Sequence, residues 1–172
     1  MTIREMSDWN LFRLTRVHPQ DVARFLSFRR AGLTNDPDAF RILPADDAVI
    51  GEEAWRARLE RDHVVGVDRG GDLVGVGGFS RFVGAKLDHK GLIWGMYVSP
   101  AERGAGVADE IMRALIETSR GQVRQLQLTV MADNARARAF YGRHGFEVYG
   151  IEPQALRREG GWADEALMWR LV

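Results

Sequence analysis

One stretch of the sequence, Ile93 to Leu115 (IWGMYVSPAERGAGVADEIMRAL), constrains the fold more than any other. Strand-forming residues run up to a Pro, and an Arg-Gly-Ala-Gly turn then leads directly into an amphipathic helix. In that helix Val107, Ile111 and Leu115 recur at every fourth position, which indicates a face that packs on a core. A strand, a tight turn and a helix in this order predict an α/β unit whose main chain is accessible at the glycine turn.

The turn Arg103–Ala108 (RGAGVA) has the composition of an anion-binding site. Without a Cβ, Gly104 and Gly106 let a ligand approach the main chain, and the first N–H groups of the helix carry partial positive charge. Arg103 adds a cation that can pair with phosphate oxygens. The same glycines are compatible with an ordinary turn. A dinucleotide-binding turn requires Gly where this chain has Asp109, and the Gly-Lys-Ser/Thr of a P-loop is absent.

Hydrophobic periodicity along the chain predicts the order β-α-α-β-β-β-α-β-α-β-β, a mixed α/β sheet with helices packed on it. The predicted strands are 9–14, 63–68, 73–82, 91–98, 125–130, 146–152 and 165–172, and the predicted helices are 18–33, 51–62, 104–119 and 134–144. Segment 36–47 is predicted to be irregular, and 153–164 to be a loop rich in Arg and Gly. No repeat or linker divides the chain, so residues 1–172 are predicted to form a single domain.

Composition narrows the possible functions. Lys plus Arg and Asp plus Glu both count 24, so a polyanionic partner such as nucleic acid or an anionic membrane is disfavoured. The chain has no Cys, which excludes disulfides and a covalent cysteine intermediate. Its 4 His show no metal-ligand spacing, so no metal is expected. No membrane-spanning run or signal-peptide core is apparent, and the expected location is the cytoplasm.

A second signature lies in NARARAFYGRHGFEVYG, which begins at Asn134. Asn134 is a good N-cap, and Tyr141, about two turns later, is predicted to share a face with Asn134 and Arg138. An ordinary capped helix, closed at Gly145 and with its aromatic residues in the core, also satisfies this pattern. The tyrosine hydroxyl can alternatively serve as an acid or hydrogen-bond donor.

Together these motifs resemble the GNAT superfamily of N-acetyltransferases. The family's Gln/Arg-x-x-Gly-x-Gly/Ala motif is matched by Arg103, Gly106 and Ala108, and the later Asn, Ala, Tyr and Gly-Phe positions are matched in the second signature. The resemblance is strong from Leu73 to Gly150 and weaker at the two ends.

By this resemblance the chain has a GNAT-like acyl-CoA N-acyltransferase fold, with a splayed central sheet flanked by helices. Acetyl-CoA, the implied co-substrate, lies between the fourth and fifth strands, with its pyrophosphate on the turn and its pantetheine arm along the main chain of the fourth strand. Gly95 suits a bulge in that strand. The implied catalytic residue is Tyr141, which would protonate the leaving thiolate. The implied cofactor-binding residues are Met96, Tyr97, Val98, Arg103, Gly104, Ala105, Gly106, Val107, Ala108, Asn134 and Tyr141.

The expected mechanism is direct attack of an acceptor amine on the thioester in a ternary complex, because no Cys can carry the acetyl group. An amine with a pKa near about 10.4 must lose a proton first, so a base or a water chain is required. No base is assigned. The candidates are His89, Glu52, Glu53, Glu152, Asp164 and Glu165.

The acceptor stays open among a small-molecule amine, an amino acid and a protein N-terminus. By family resemblance, segments 34–47 and 153–164 line the acceptor side. The first contains Asp36, Asp38, Asp46 and Asp47, which suit a cation, and the second contains Arg157 and Arg158, which suit a carboxylate. An acyl-CoA-binding sensor without turnover is the alternative function. A homodimer through the terminal strands is compatible with the family resemblance.

Overall fold

The computed structural model describes residues 8–15 and 18–172. The first seven residues, which begin the segment for which no signal-peptide core was found, lie outside the described residues. Within the described residues, seven strands form one sheet. The strands are β1 (Trp9–Leu14), β2 (His63–Arg69), β3 (Asp72–Arg81), β4 (Lys90–Val98), β5 (Gln125–Met131), β6 (Glu147–Arg158) and β7 (Gly161–Leu171). The α-helices are α1 (Pro19–Asn35), α2 (Pro44–Ile50), α3 (Glu52–Arg61), α4 (Val107–Ser119) and α5 (Ala135–Arg143).

The sheet has the order β1-β2-β3-β4-β5-β7-β6 and opens at its centre. Every neighbouring pair is antiparallel except β4 and β5, which run parallel. These two strands pair only from Lys90–Leu92 against Gln125–Gln127, whereas β5 stays paired with β7 as far as Met131. The second half of β4 therefore leaves its neighbour, and a cleft opens between the carboxyl ends of the two strands. The predicted mixed, splayed sheet is confirmed.

Helix α4 covers one face of the sheet. Val107, Ile111 and Leu115 are fully buried, as their spacing predicted, and full burial of each such side chain stabilises the fold by about 1.5–3 kcal/mol. A Cβ on Gly75 would lie 2.7 Å from Val107, and one on Gly77 would lie 2.6 Å from Ile111. Because Gly75 and Gly77 have no side chains, α4 packs close to β3. This close packing sets the position of the glycine turn that precedes α4.

The opposite face is covered by α1 and α3. Val22 and Phe25 from α1 pack with Trp55 and Leu59 from α3, and this second cluster includes Tyr97 from β4. Phe25 and Trp55 meet with ring centroids 5.3 Å apart. Side chains of β4 thus enter two different cores.

Two segments are more regular than the sequence predicted. The prediction of an irregular connection at 36–47 was wrong in part, because α2 begins within it. Pro44 occupies the start of the helix and two acids lie in its first turn, both of which favour a helix N-terminus. Asp47 is buried there and accepts a hydrogen bond from Arg29 Nε at 2.8 Å, so a long-range ion pair anchors α2.

The predicted loop at 153–164 is also mostly strand. Strands β6 and β7 pair as far as Arg158 and Gly161, so only two residues turn the hairpin. The register shifts between Glu152 and Leu156, and Gln154 within this stretch has φ +52°. Pairing with β7 supplies the backbone hydrogen bonds that outweigh the weak strand preference of this composition.

None of the helices in the described segments 8–15 and 18–172 is long and apolar enough to cross a membrane.

Candidate active site

A cavity of about 580 Å³ lies where the cleft meets the glycine turn. Its walls are the second half of β4, the start of α4, one side of α5 and the residues that follow α1. It brings together nine of the predicted site residues: Met96, Tyr97, Val98, Arg103, Gly104, Gly106, Ala108, Asn134 and Tyr141. Two predicted residues do not line it. Ala105 is exposed, and the side chain of Val107 is buried in the core, so Val107 can contribute only its main chain.

The bulge expected at Gly95 is present. Val76 pairs with Tyr97 and Gly78 pairs with Trp94, so Gly77 alone lies opposite both Gly95 and Met96. Gly95 has φ +63°, a conformation that costs other residues strain. The extra residue interrupts the ladder where β4 faces the cleft and leaves main-chain groups there for a ligand.

The glycine turn has the geometry of an anion site. Gly104 and Gly106 have φ +87° and +91°, and a Cβ on either would meet no atom within 4 Å. Gly106 is the N-cap of α4 and no side chain caps that helix. The predicted helix start at 104 was therefore early, since α4 begins at Val107. The first N–H groups of α4 point at open space, as a bound pyrophosphate requires.

Arg103 is held at the cavity wall by three contacts. Its Nη2 donates to Asp36 Oδ2 at 2.7 Å, its Nε donates to the Val98 carbonyl at 3.2 Å, and its guanidinium lies 5.8 Å from the centre of the Tyr97 ring. Hydrogen bonding to Arg103 lowers the pKa of Asp36, which therefore stays ionised at neutral pH. The cation that was predicted for phosphate already has a carboxylate partner.

Asp36, which was predicted on the acceptor side, lines the same cavity as the predicted cofactor-binding residues. It also accepts a hydrogen bond from the Tyr97 hydroxyl at 2.9 Å. Burial and this hydrogen bond raise the pKa of Tyr97. No local sequence pattern links residues so far apart in the chain, and only the fold reveals the cluster.

Tyr141 lies on α5 with its ring packed edge-on against Phe140 and Phe146, at centroid distances of 5.2 and 6.0 Å. Burial raises the pKa of its phenol to about 12. At neutral pH the hydroxyl therefore keeps its proton and can donate it or hydrogen-bond through it. Arg138, predicted on the same face, instead donates to the Ala132 carbonyl at 3.0 Å and does not line the cavity.

Asn134 caps α5 as predicted, because its Oδ1 accepts from Ala137 N–H at 2.9 Å. We expect Asn134→Ala to lower the free energy of unfolding by about 1 kcal/mol. Asn134→Asp should retain the cap and the stability, since Asp is an equally good N-cap, but it loses the amide donor. Thermal unfolding and acetyl-CoA titration of both variants separate the two roles. Unchanged cofactor affinity in Asn134→Asp would confine this residue to capping.

One candidate base differs from the others in its surroundings. Glu52, Glu53, Glu152, Asp164 and His89 are exposed. Glu165 is buried, with 2% of its surface accessible, and burial raises its pKa. Glu165 was not selected in the sequence analysis. Asp164 is adjacent to it, and the sequence does not show which of the two carboxylates points into the protein.

In residues 8–15 and 18–172, no cluster of three or more His, Asp or Glu side chains could hold a metal ion. The cavity wall presents main-chain groups of β4 and α4, the Arg103–Asp36 pair and the side chain of Tyr141.

Comparison with known proteins agrees with this geometry. The chain is 32% identical over 118 residues to the N-alpha-acetyltransferase RimI of Mycobacterium tuberculosis, which covers 64% of this chain and 73% of that protein. It is 27% identical over 157 residues to an L-methionine sulfoximine/L-methionine sulfone acetyltransferase of Pseudomonas aeruginosa. That alignment covers 86% of this chain and 87% of the relative. The structure resembles yncA from Salmonella typhimurium, solved with its cofactor acetyl-CoA, at a TM-score of 0.77 and 17% identity over 96% and 94% of the two chains.

The family model described as Acetyltransferase (GNAT) family matches residues 27–146, which include the cleft, the glycine turn and α5. This match spans more than half of the 172 residues. The chain belongs to the GNAT family of acetyltransferases.

Proposed function

We propose that residues 1–172 form a single N-acetyltransferase domain that moves the acetyl group of acetyl-CoA directly to a primary amine. The observation that carries this proposal is the single cavity that joins an uncapped helix N-terminus, the β4 bulge and a protonated tyrosine. Each of the three features suits a different part of a thioester cofactor.

The residues of the cavity fit acetyl-CoA from its pyrophosphate to its thioester. The first N–H groups of α4 and the open space at Gly104 and Gly106 would hold the pyrophosphate. The main chain of Met96 and Val98, beside the bulge, would pair with the pantetheine amides. Asn134 would contribute its amide group from the facing helix.

Acetyl-CoA supplies the thioester, whose carbonyl carbon bonds to the amine nitrogen while its C–S bond breaks and the thiolate leaves. Main-chain N–H groups at the bulge would stabilise negative charge on the carbonyl oxygen. Tyr141 would give its proton to the departing thiolate and recover one from the nitrogen, which loses a proton as the amide forms. Tyr141, like any tyrosine, holds this proton at neutral pH, and burial raises its pKa further, to about 12.

The acceptor class follows from chemistry and from the relatives. RimI is an N-alpha-acetyltransferase, and the Pseudomonas aeruginosa relative acetylates L-methionine sulfoximine and L-methionine sulfone. These two relatives are thus named for acetylation of an alpha-amine or of amino-acid derivatives, and we propose an amine of a peptide or an amino acid for this chain. A binding module without turnover is the alternative, and it would need no proton donor beside the thioester.

The proposed function is tested by free-thiol release from acetyl-CoA with pooled amines, amino acids and short peptides. The chain has no Cys and so contributes no thiol background. We expect release with one pool and none without an acceptor. Acetyl-CoA binding without release from any pool would instead favour a binding module.

A further inference from the structure

A buried carboxylate and a half-exposed guanidinium form an ion pair beside the cofactor cavity. Arg41 Nη2 lies 3.2 Å from Glu165 Oε2, with 55% and 2% of the two side chains exposed. Arg41 lies in the connection between α1 and α2, two residues after Ala39, which lines the cavity. Neither partner lines the cavity itself.

The position of Glu165 places it on the face opposite to α4. Ala166 and Met168 on β7 belong to the core under α4, and alternate residues of a strand point to opposite faces. Glu165 is directly opposite Met131, the last residue of β5, where the cleft is open. Asn134 follows three residues later and lines the cavity. The carboxylate is therefore across the sheet from α4 and next to the cleft.

Glu165 is the buried acid whose hydrogen bonds are incomplete. Its Oε2 has no hydrogen-bond partner among the described residues, although the Arg41 guanidinium is near. Asp62, equally buried, accepts from Arg58 Nε at 3.2 Å, Arg61 Nε at 2.8 Å and Ser80 at 2.5 Å. A buried charge with an unfilled acceptor is costly unless something completes its contacts.

Three of the charges that the sequence offered for the acceptor form ion pairs with other residues. Asp36 pairs with Arg103, and Asp47 pairs with Arg29. Arg158 pairs with Asp133 at 2.9 Å. Asp38 also lines the cavity, and Arg41 and Glu165 form a pair of opposite charges beside the open end of the cleft.

We propose that the Arg41–Glu165 pair is the acceptor site and selects a zwitterion, a free α-amino acid whose ammonium binds Glu165 and whose carboxylate binds Arg41. This inference rests on the proposed acetyltransferase function. An amino acid carries an ammonium and a carboxylate on the same carbon. It can therefore replace the Arg41–Glu165 ion pair with two new ion pairs, one to each side chain. A peptide N-terminus brings the ammonium alone and leaves Arg41 without a partner.

Glu165 would also remove the proton that blocks attack by the nitrogen. One proton of the bound ammonium passes to the carboxylate, which becomes neutral and later releases that proton to solvent. The resulting amine has the free electron pair that attack on the thioester requires. Burial raises the pKa of Glu165, which makes its carboxylate a better proton acceptor than an exposed one.

The test compares free amino acids with their α-carboxamides as acceptors, using thiol release from acetyl-CoA. For wild type we expect kcat/KM to be about 100-fold higher with the preferred amino acid than with its carboxamide, because a charged hydrogen-bonding partner is lost in the amide. Arg41→Gln should lower the amino-acid value by about 100-fold and leave the carboxamide value within about 3-fold. Glu165→Gln should lower both values, since both acceptors carry the ammonium.

Arg30→Gln is the matched control, because it removes the same charge from an exposed position on α1 and should change neither value. Thermal unfolding of each variant reports on folding. Equal losses for both acceptors in Arg41→Gln, or a wild type that prefers carboxamides or peptides, would overturn the zwitterion site while leaving the transferase intact. If no acceptor turns over, the absence of amino-acid stabilisation in the presence of CoA overturns the site, and acetyl-CoA binding is then judged separately.

Discussion

Replacing Gly106 with Val should lower acetyl-CoA affinity by at least about 100-fold, about 2.7 kcal/mol of binding free energy. Gly106 has φ +91°, and its missing side chain leaves open space in front of the first turn of α4. A branched side chain there would occupy the position proposed for the pyrophosphate and would screen the N–H groups that bind it. Isothermal titration with acetyl-CoA measures the loss.

Gly121→Val is the matched control for backbone strain. Gly121 has φ +74°, a Cβ there would also meet no atom within 4 Å, and the residue lies in the turn after α4, away from the cavity. Both variants should lose about 1–2 kcal/mol of stability from the left-handed backbone. Only Gly106→Val should lose the cofactor. Native affinity in Gly106→Val would show that the pyrophosphate does not bind at this turn.

Replacing Tyr141 with Phe should lower kcat by about 100-fold or more and leave acetyl-CoA affinity within about 3-fold. The ring packing against Phe140 and Phe146 persists without the hydroxyl, so the loss is confined to the proton that the thiolate needs. Steady-state kinetics with the best acceptor, together with titration of the cofactor, separate the two effects. Tyr149→Phe is the control, because Tyr149 is exposed on β6.

The pKa of Tyr141 gives this prediction a pH dependence. With a pKa of about 12, the phenol remains protonated throughout the neutral range, so its ionisation should not reduce kcat below about pH 10. The folded state holds this proton more tightly than the unfolded chain, whose pKa is about 10. The corresponding stability is complete below pH about 10 and is lost as pH rises towards 12. Tyr141→Phe should flatten that loss in alkaline unfolding curves. If Tyr141→Phe has the same kcat as wild type, Tyr141 takes no part in the chemistry.

Much of the cofactor side could be predicted from the sequence. The strand before the turn, the bulge at Gly95, the amphipathic α4 and the Asn134 cap were all expected, and all are present. Each depends on residues within a few positions of one another, where backbone sterics and helix periodicity act. The positions of α2 and of the last hairpin were missed in part because distant partners stabilise them. Arg29 holds Asp47, and β7 pairs with the long second half of β6.

The sequence alone determined the family motifs, the absence of a cysteine nucleophile and the glycine turn for which we propose pyrophosphate binding, because these are properties of composition and short-range spacing. Only the tertiary structure decided which charges are free to meet a substrate. It joined Asp36 to Arg103 and Arg41 to Glu165, two ion pairs that the sequence analysis did not expect. The physical reason is that ion pairing and burial depend on distances between side chains that are far apart in the chain, and only folding sets those distances.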